Sequence, residues 1–151
     1  MDVKKFREKV KFDSKIIIAG QEYEIEQLIK FRLDDGSFYI KLFFTNGYVL
    51  ADDLDENMFI LVKEIDTDFE QPFPEELVYN GKKFHFTYEA EAVAEEVEGA
   101  GKFQVGDQEK FWDYETEEGD YLSLGLDKKT GRRMDLTGKI INNDDLEVSN
   151  V

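Results

Sequence analysis

The sequence predicts an all-β protein, with antiparallel strands in two similar halves that form paired sheets or two small open barrels. A short helix at the N-terminus is the one exception. Three observations carry this expectation. Apolar residues recur at every second position over most of the chain, the period of a strand with one buried face. Turn pairs such as Ala19-Gly20, Asn46-Gly47 and Asn80-Gly81 punctuate those runs. The order of strand and turn signals in the first half then recurs in the second.

Residues 1–11 place Val3, Phe6 and Val10 at helical spacing, enough for one or two turns. The period then becomes two. Ile16 to Ile18 form a β-branched run, Ala19-Gly20 turns, and Tyr23, Ile25, Ile29, Phe31 and Leu33 continue at alternate positions. "DDGS" is a turn into the strand "FYIKLFF". Asn46-Gly47 favours a type I′ hairpin, because both residues tolerate positive φ, and "YVLADD" returns from it. "MFILVKEI" is apolar enough for burial on both faces. "DTDFEQPFPEE" holds both prolines among several acids, which suits neither a helix nor a central strand and reads as a linker.

The second half opens with a strand, a turn at Asn80-Gly81 and a long alternating run. In strand geometry Phe84, Phe86, Tyr88, Ala90 and Ala92 share one face, and His85, Thr87, Glu89 and Glu91 the other. Residues 90–97 also fit a helical stripe through Ala90, Val93, Ala94 and Val97; strand is favoured through Ala94. "GAGKFQVGDQ" is a glycine-rich loop, "KFWDYE" and "YLSLGLD" flank the turn "TEEGD", and "MDLTGKII" closes the unit. The expected organisation is an N-terminal segment 1–11, a first β unit 12–66, a Pro-containing linker 67–77, a second β unit 78–141 and a flexible tail 142–151, with a single domain over 12–141 as the alternative. "IIIAGQEYEI" matches "ELVYNGKKFHF" in order, and "FYIKLFFTNGYVLADD" matches "KFWDYETEEGDYLSLGLD", so an internal duplication is expected.

A net charge of −16 and a pI near 4.4 argue against nucleic acid, which needs clustered Lys and Arg, and against anionic lipid. The absence of cysteine removes disulfides, thiolate metal sites and Cys nucleophiles and fits a reducing cytoplasm. No apolar run is long enough for a membrane span, so direct insertion is not expected. His85 is the sole histidine, and no serine sits in a Gly-x-Ser-x-Gly elbow, so no catalytic residue is assigned. With one His and no Cys only an oxygen-ligand metal site is feasible, and "DDLDEN" and "NNDD" lack EF-hand spacing. Neither metal nor cofactor is expected.

The densest constellation is "FWDYETEEGDYLSLG" at 111–125. Its acids fall mainly in the turn. Phe111 and Asp113 share one side of the strand, and Trp112 and Tyr114 the other. The expected ligand or partner patch is Trp112, Tyr114 and Asp113 with Tyr121 and Tyr48, provided Trp112 and Tyr114 face outward. If they face inward, they are core, which is the favoured reading.

A Gly-x-x-[Tyr/Phe] turn opening each half, the hairpin "SFYIKLFFTNGYVLADD" and the pair "YNGKKFHFTYEAEAVAEEVEGAG" and "FWDYETEEGDYLSLGLD" resemble the DUF4178 family, a bacterial domain of unknown function. The resemblance covers about residues 12–141. Members often carry Trp and Glu where this chain has Phe38 to Lys41, and Trp-Leu where it has Val49-Leu50, so a site built on those tryptophans is missing here. The family has no assigned catalytic residues. The resemblance implies a small β-rich bacterial protein, often encoded near membrane-associated or stress-related proteins. The expected role is a non-catalytic binding or accessory module acting through another protein, with homo-oligomers allowed. The alternatives are a carboxylate-based hydrolase around Glu109 to Asp120, and an acidic mimic occupying a basic partner.

Overall fold

The computed structural model describes residues 1–150. After a short helix α1 (Val3–Lys9), the strands are β1 (Lys15–Ile18), β2 (Gln21–Leu33), β3 (Phe38–Phe44), β4 (Tyr48–Asp53), β5 (Met58–Ile65), β6 (Glu76–Tyr79), β7 (Lys82–Gly99), β8 (Gln108–Glu115), β9 (Asp120–Asp127), β10 (Arg133–Ile141) and β11 (Leu146–Ser149). The all-β antiparallel class with one short helix is as the sequence predicts.

The closure is different from either arrangement expected. β2-β3-β4-β5 is one meander and β7-β8-β9-β10 another. Instead of two sheets or two open barrels, they join into one eight-stranded closed barrel. β5 pairs with β10, with Val62 opposite Gly138, and β2 pairs with β7, with Phe31 opposite Ala94. The physical reason is that each meander alone leaves two unpaired edges, and closure satisfies all four. β2 and β7 are long because each serves two neighbours on one edge. The start of β2 pairs with β1, which also holds β11, and the start of β7 pairs with β6. Residues 90–93 pair with β8 and residues 92–97 with β2, so the stretch is held as strand and the helical alternative is not taken.

Three local expectations are corrected. Residues 142–150, expected as a flexible tail, form a 3-10 turn (Asn143–Asp145) and β11, because Leu146 and Val148 bury against β1 and α1; residue 151 lies outside the described residues. Asn46-Gly47 is not a type I′ pair: only Gly47 has positive φ (89°), and the Asn46 side chain accepts from Tyr48 N at 3.1 Å. Ala19-Gly20 and Asn80-Gly81 do have positive φ at both residues. Finally, Phe84 and Ala92 do not share a face. An irregularity between Phe86 and Tyr88 turns the strand over, leaving Phe84 outside the barrel and Ala90 and Ala92 inside it. A matching irregularity between Ile25 and Gln27 places Tyr23 and Ile25 outside, and Ile29 and Phe31 inside.

Both walls are therefore apolar on their outer faces and need cover. Over β3, β4 and β5 the cover is α1, β1 and β11: Phe6 meets Phe59 edge-on at 5.0 Å, among Ile40, Leu42 and Phe44. Asp2 caps α1 by accepting from Lys5 N at 2.8 Å. Arg7 donates from Nε and Nη2 to the buried Asp52 carboxylate, both at 2.9 Å, and Asp52 also accepts from Ile40 N. Over β8 and β9 the cover is β6 and the segment before it. Phe73 meets Trp112 at 4.8 Å, and Tyr114 donates to Pro74 O at 2.7 Å.

Candidate functional site

An eight-stranded barrel has an interior that side chains can fill or that can hold one small ligand. Here it is only partly filled. Small side chains at Ala51 and Ser123 leave a cavity of about 670 Å³, which continues to the surface at one end. That volume lies within the range of small-molecule sites, roughly 300–1,000 Å³.

The opposite end is stoppered by loop 100–107. Phe103 packs edge-on against Phe31 at 5.2 Å and against Phe43 at 5.6 Å. The Gln27 side chain clasps its backbone, donating from Nε2 to Phe103 O at 2.8 Å and accepting from Phe103 N at 3.3 Å. A Cβ on Gly101 would lie 2.8 Å from Gln27 Oε1 and would push on this clasp. Just inside the stopper, Lys41 Nζ lies 5.6–5.9 Å from the rings of Phe31, Phe43 and Phe103. Glu109 Oε1 is 3.9 Å from that ammonium, and both side chains are almost fully buried. Tyr39 stacks on Phe31 at 5.1 Å. Its hydroxyl pKa stands well above the ordinary value because of burial first, then the Glu109 and Asp113 charges and a hydrogen bond to Glu109.

Asp113 occupies the middle of the lumen. It projects inward because β8 alternates, and its neighbours Trp112 and Tyr114 project outward. Tyr121 donates to Asp113 Oδ2 at 2.6 Å. Oδ1 is buried and no donor meets it in hydrogen-bond geometry. Burial pushes the Asp113 carboxyl up to about 6; Tyr121, its cross-strand neighbour Ser123 and Lys41 moderate the rise, and Glu109 adds to it. Lys41 pairs with Glu109, so the buried Asp113 carboxylate has no counterion at salt-bridge distance, a costly arrangement.

The open end is acidic. Asp35, Asp53, Asp55, Glu56 and Glu115 line it, beside Tyr88. Glu115 is raised by burial and by the charges of Glu56 and Asp53, and Tyr88 by burial and by Asp35, Asp34 and Asp113. Arg7 and Arg32 line the same cavity, Arg7 engaged with Asp52 and Arg32 with Glu95. Tyr88 and Phe111 approach at 6.0 Å and give the entrance an aromatic side.

The residues singled out from sequence are divided by this geometry. Asp113 and Tyr121 meet in the lumen. Trp112 and Tyr114 are core residues of the outer wall, 9% and 0% exposed, and form no surface patch. Tyr48 is half-buried on the other outer face, edge-on to Tyr23 at 6.0 Å, with Lys63 Nζ 4.7 Å over its ring. The sequence names Glu109 and Lys41 only as ends of segments and does not single out Tyr39. The available signal was parity. Lys41 is the polar member of "FYIKLFF" and lies in step with Tyr39 and Phe43; Glu109 lies in step with Phe111 and Asp113. His85 is on the exposed start of β7, 3.5 Å from Glu76. No group of three His, Cys, Asp or Glu among the described residues is arranged to hold a metal ion. No helix among them is long and apolar enough to cross a membrane.

Among known proteins, the family model described as "Domain of unknown function (DUF4178)" matches residues 11–139. Comparison with curated proteins and with solved structures found no match in either set.

Proposed function

The chain belongs to DUF4178, a family described only as a domain of unknown function, and we propose from the barrel itself that it is a non-catalytic binding module holding a small polar molecule in its lumen. The observation that carries this reading is the hollow of about 670 Å³ lined by the buried Asp113 carboxylate, which has no cation of its own at salt-bridge distance. A stoppered base, an aromatic flank and a few converging polar groups are the features of a small-molecule site. Hydrolysis by a carboxylate pair is less well supported. Glu109 and Asp113 are four residues apart on one strand, about 13 Å between Cα atoms, beyond the 5–9.5 Å that separates paired carboxyls in glycosidases. Glu109 is moreover engaged with Lys41. A protein partner has weaker support as well: the exposed large apolar side chains Leu54, Val78, Phe86, Val93 and Val105 are spread over the β4–β5 turn, β6, β7 and loop 100–107.

The test is ligand-observed NMR of a fragment library on the intact chain and on Ser123→Phe, which fills the lumen. Fragments that bind the first and not the second are expected. Equal binding to both would overturn the reading.

An internal duplication is the best account of the two meanders. β1 to β5 and β6 to β10 repeat one sequence of a short strand, a long strand shared between two neighbours, and three further barrel strands. In both halves the long strand carries an irregularity that switches its inward face.

A further inference from the structure

We propose that the ligand is an organic ammonium ion, with its charged nitrogen paired with the Asp113 carboxylate and its apolar body against Tyr39 and Phe111. This rests on the lumen-binding reading and deepens it by naming the chemical class.

Four observations converge. The first is the carboxylate itself: Asp113 lines the cavity, is 8% exposed and accepts from Tyr121 at Oδ2, with the Ser123 side chain beside it. The second is charge. Glu109 already has a cation in Lys41, whereas Asp113 has no cation of its own within salt-bridge distance. A monovalent cation at Asp113 would leave the lumen with two neutral pairs, the arrangement in which buried charge is tolerable. The third is the approach: Asp35, Asp53, Asp55, Glu56 and Glu115 outnumber Arg7 and Arg32, which are paired with Asp52 and Glu95, so the lining favours cations over anions. The fourth is size and surface. A bare metal ion would need several oxygen ligands around it, and no group of three His, Cys, Asp or Glu among the described residues is arranged to supply them. The cavity instead has the volume for a molecule of several heavy atoms, and Tyr39 and Phe111, edge-on to each other at 5.9 Å, form part of its wall.

Three probes of one skeleton separate the possibilities: benzylamine, benzyl alcohol and benzoate, which carry a positive, a zero and a negative charge at neutral pH. Each is titrated into the full chain at pH 7.5 and followed by backbone amide shifts of β8 and β9. Benzylamine is expected to shift the amides around Asp113, Tyr121 and Ser123, with benzyl alcohol at least tenfold weaker and benzoate without effect. Replacing Asp113→Asn should weaken benzylamine by about ten- to a hundredfold, the worth of a charge-assisted hydrogen bond, with little change for benzyl alcohol. The comparison on the unaltered chain is decisive by itself if that variant folds poorly. Equal affinity for benzylamine and benzyl alcohol, or tighter binding of benzoate, overturns the ammonium assignment while leaving the lumen as the site. Shifts that persist in Ser123→Phe, or no shift from any probe at 20 mM, overturn the lumen reading and the assignment with it.

Discussion

Replacing Asp113→Asn should make the fold more stable at neutral pH and should flatten its response to acid. The carboxyl is raised from 3.8 to about 6 by burial. A carboxyl raised on folding holds its proton more tightly in the folded chain than in the unfolded one. Below about 3.8 both states are protonated and the group contributes nothing. Between 3.8 and 6 the folded state binds more protons, so stability falls as pH rises; above 6 the deficit is constant. A shift of about 2 units at 1.36 kcal/mol per unit makes that deficit about 3 kcal/mol. The groups facing Asp113 are Tyr121 and Ser123 on β9, Lys41 and Tyr39 on β3, Tyr88 on β7 and Glu109 on its own strand. All are kept in the variant. Asp52 and Glu115 are also raised by burial, and Asp35, Asp120 and Asp127 are lowered by hydrogen bonds. Because both chains carry them, they cancel in the difference. Urea unfolding, read by the buried Trp112, gives stability from pH 4 to 7.5 for each chain. The gap between them should widen in favour of the variant by about 2–3 kcal/mol over that range, most of it before pH 6.5. Parallel curves would refute the assignment of Asp113 as a buried, strained carboxylate.

Two further outcomes test other parts of the barrel. Lys41→Met leaves Glu109 without its cation behind the stopper and should cost about 3–5 kcal/mol in urea unfolding, much of it recovered in the double variant with Glu109→Gln. Gly138→Ala would set a Cβ 2.0 Å from Leu61 O across the β5–β10 pairing, so a fall in melting temperature of several degrees is expected by calorimetry, with the amides of Leu61 and Val62 the most disturbed.

Much of this architecture is legible in the sequence, and the parts that are not have physical causes. Alternation in "FYIKLFF" and "FWDYE" reports strands faithfully, and it places Asp113 opposite Trp112 and Tyr114, as found. Periodicity alone cannot say which face is the lumen when both faces of a strand are buried, as around Leu42 and Phe43. The long-strand irregularities at Ile25/Gln27 and Phe86/Tyr88 reverse the faces without changing the pattern of residue types, so Phe84 and Ala92 looked like neighbours. Closure itself depends on pairing between residues some sixty positions apart, such as Phe31 and Ala94, for which no local signal exists. The tail was misread for a similar reason: "LEVS" is short and flanked by acids, and only the partner strand "KIII" makes it a strand. The site was half legible. Asp113 and Tyr121 stood out by company, whereas Lys41 and Glu109 became meaningful only once two strands from different halves faced one cavity.

The two pairings that close the barrel also fix what its halves are worth apart. A fragment ending before the prolines would fold into a meander bordered by β2 and β5, each a long row of unmet backbone donors and acceptors, with a hydrophobic inner surface turned to water. Such a sheet has no means of blunting its borders and would seek them in other copies of itself. The two meanders thus depend on each other for their edges, like two shells that close only as a pair.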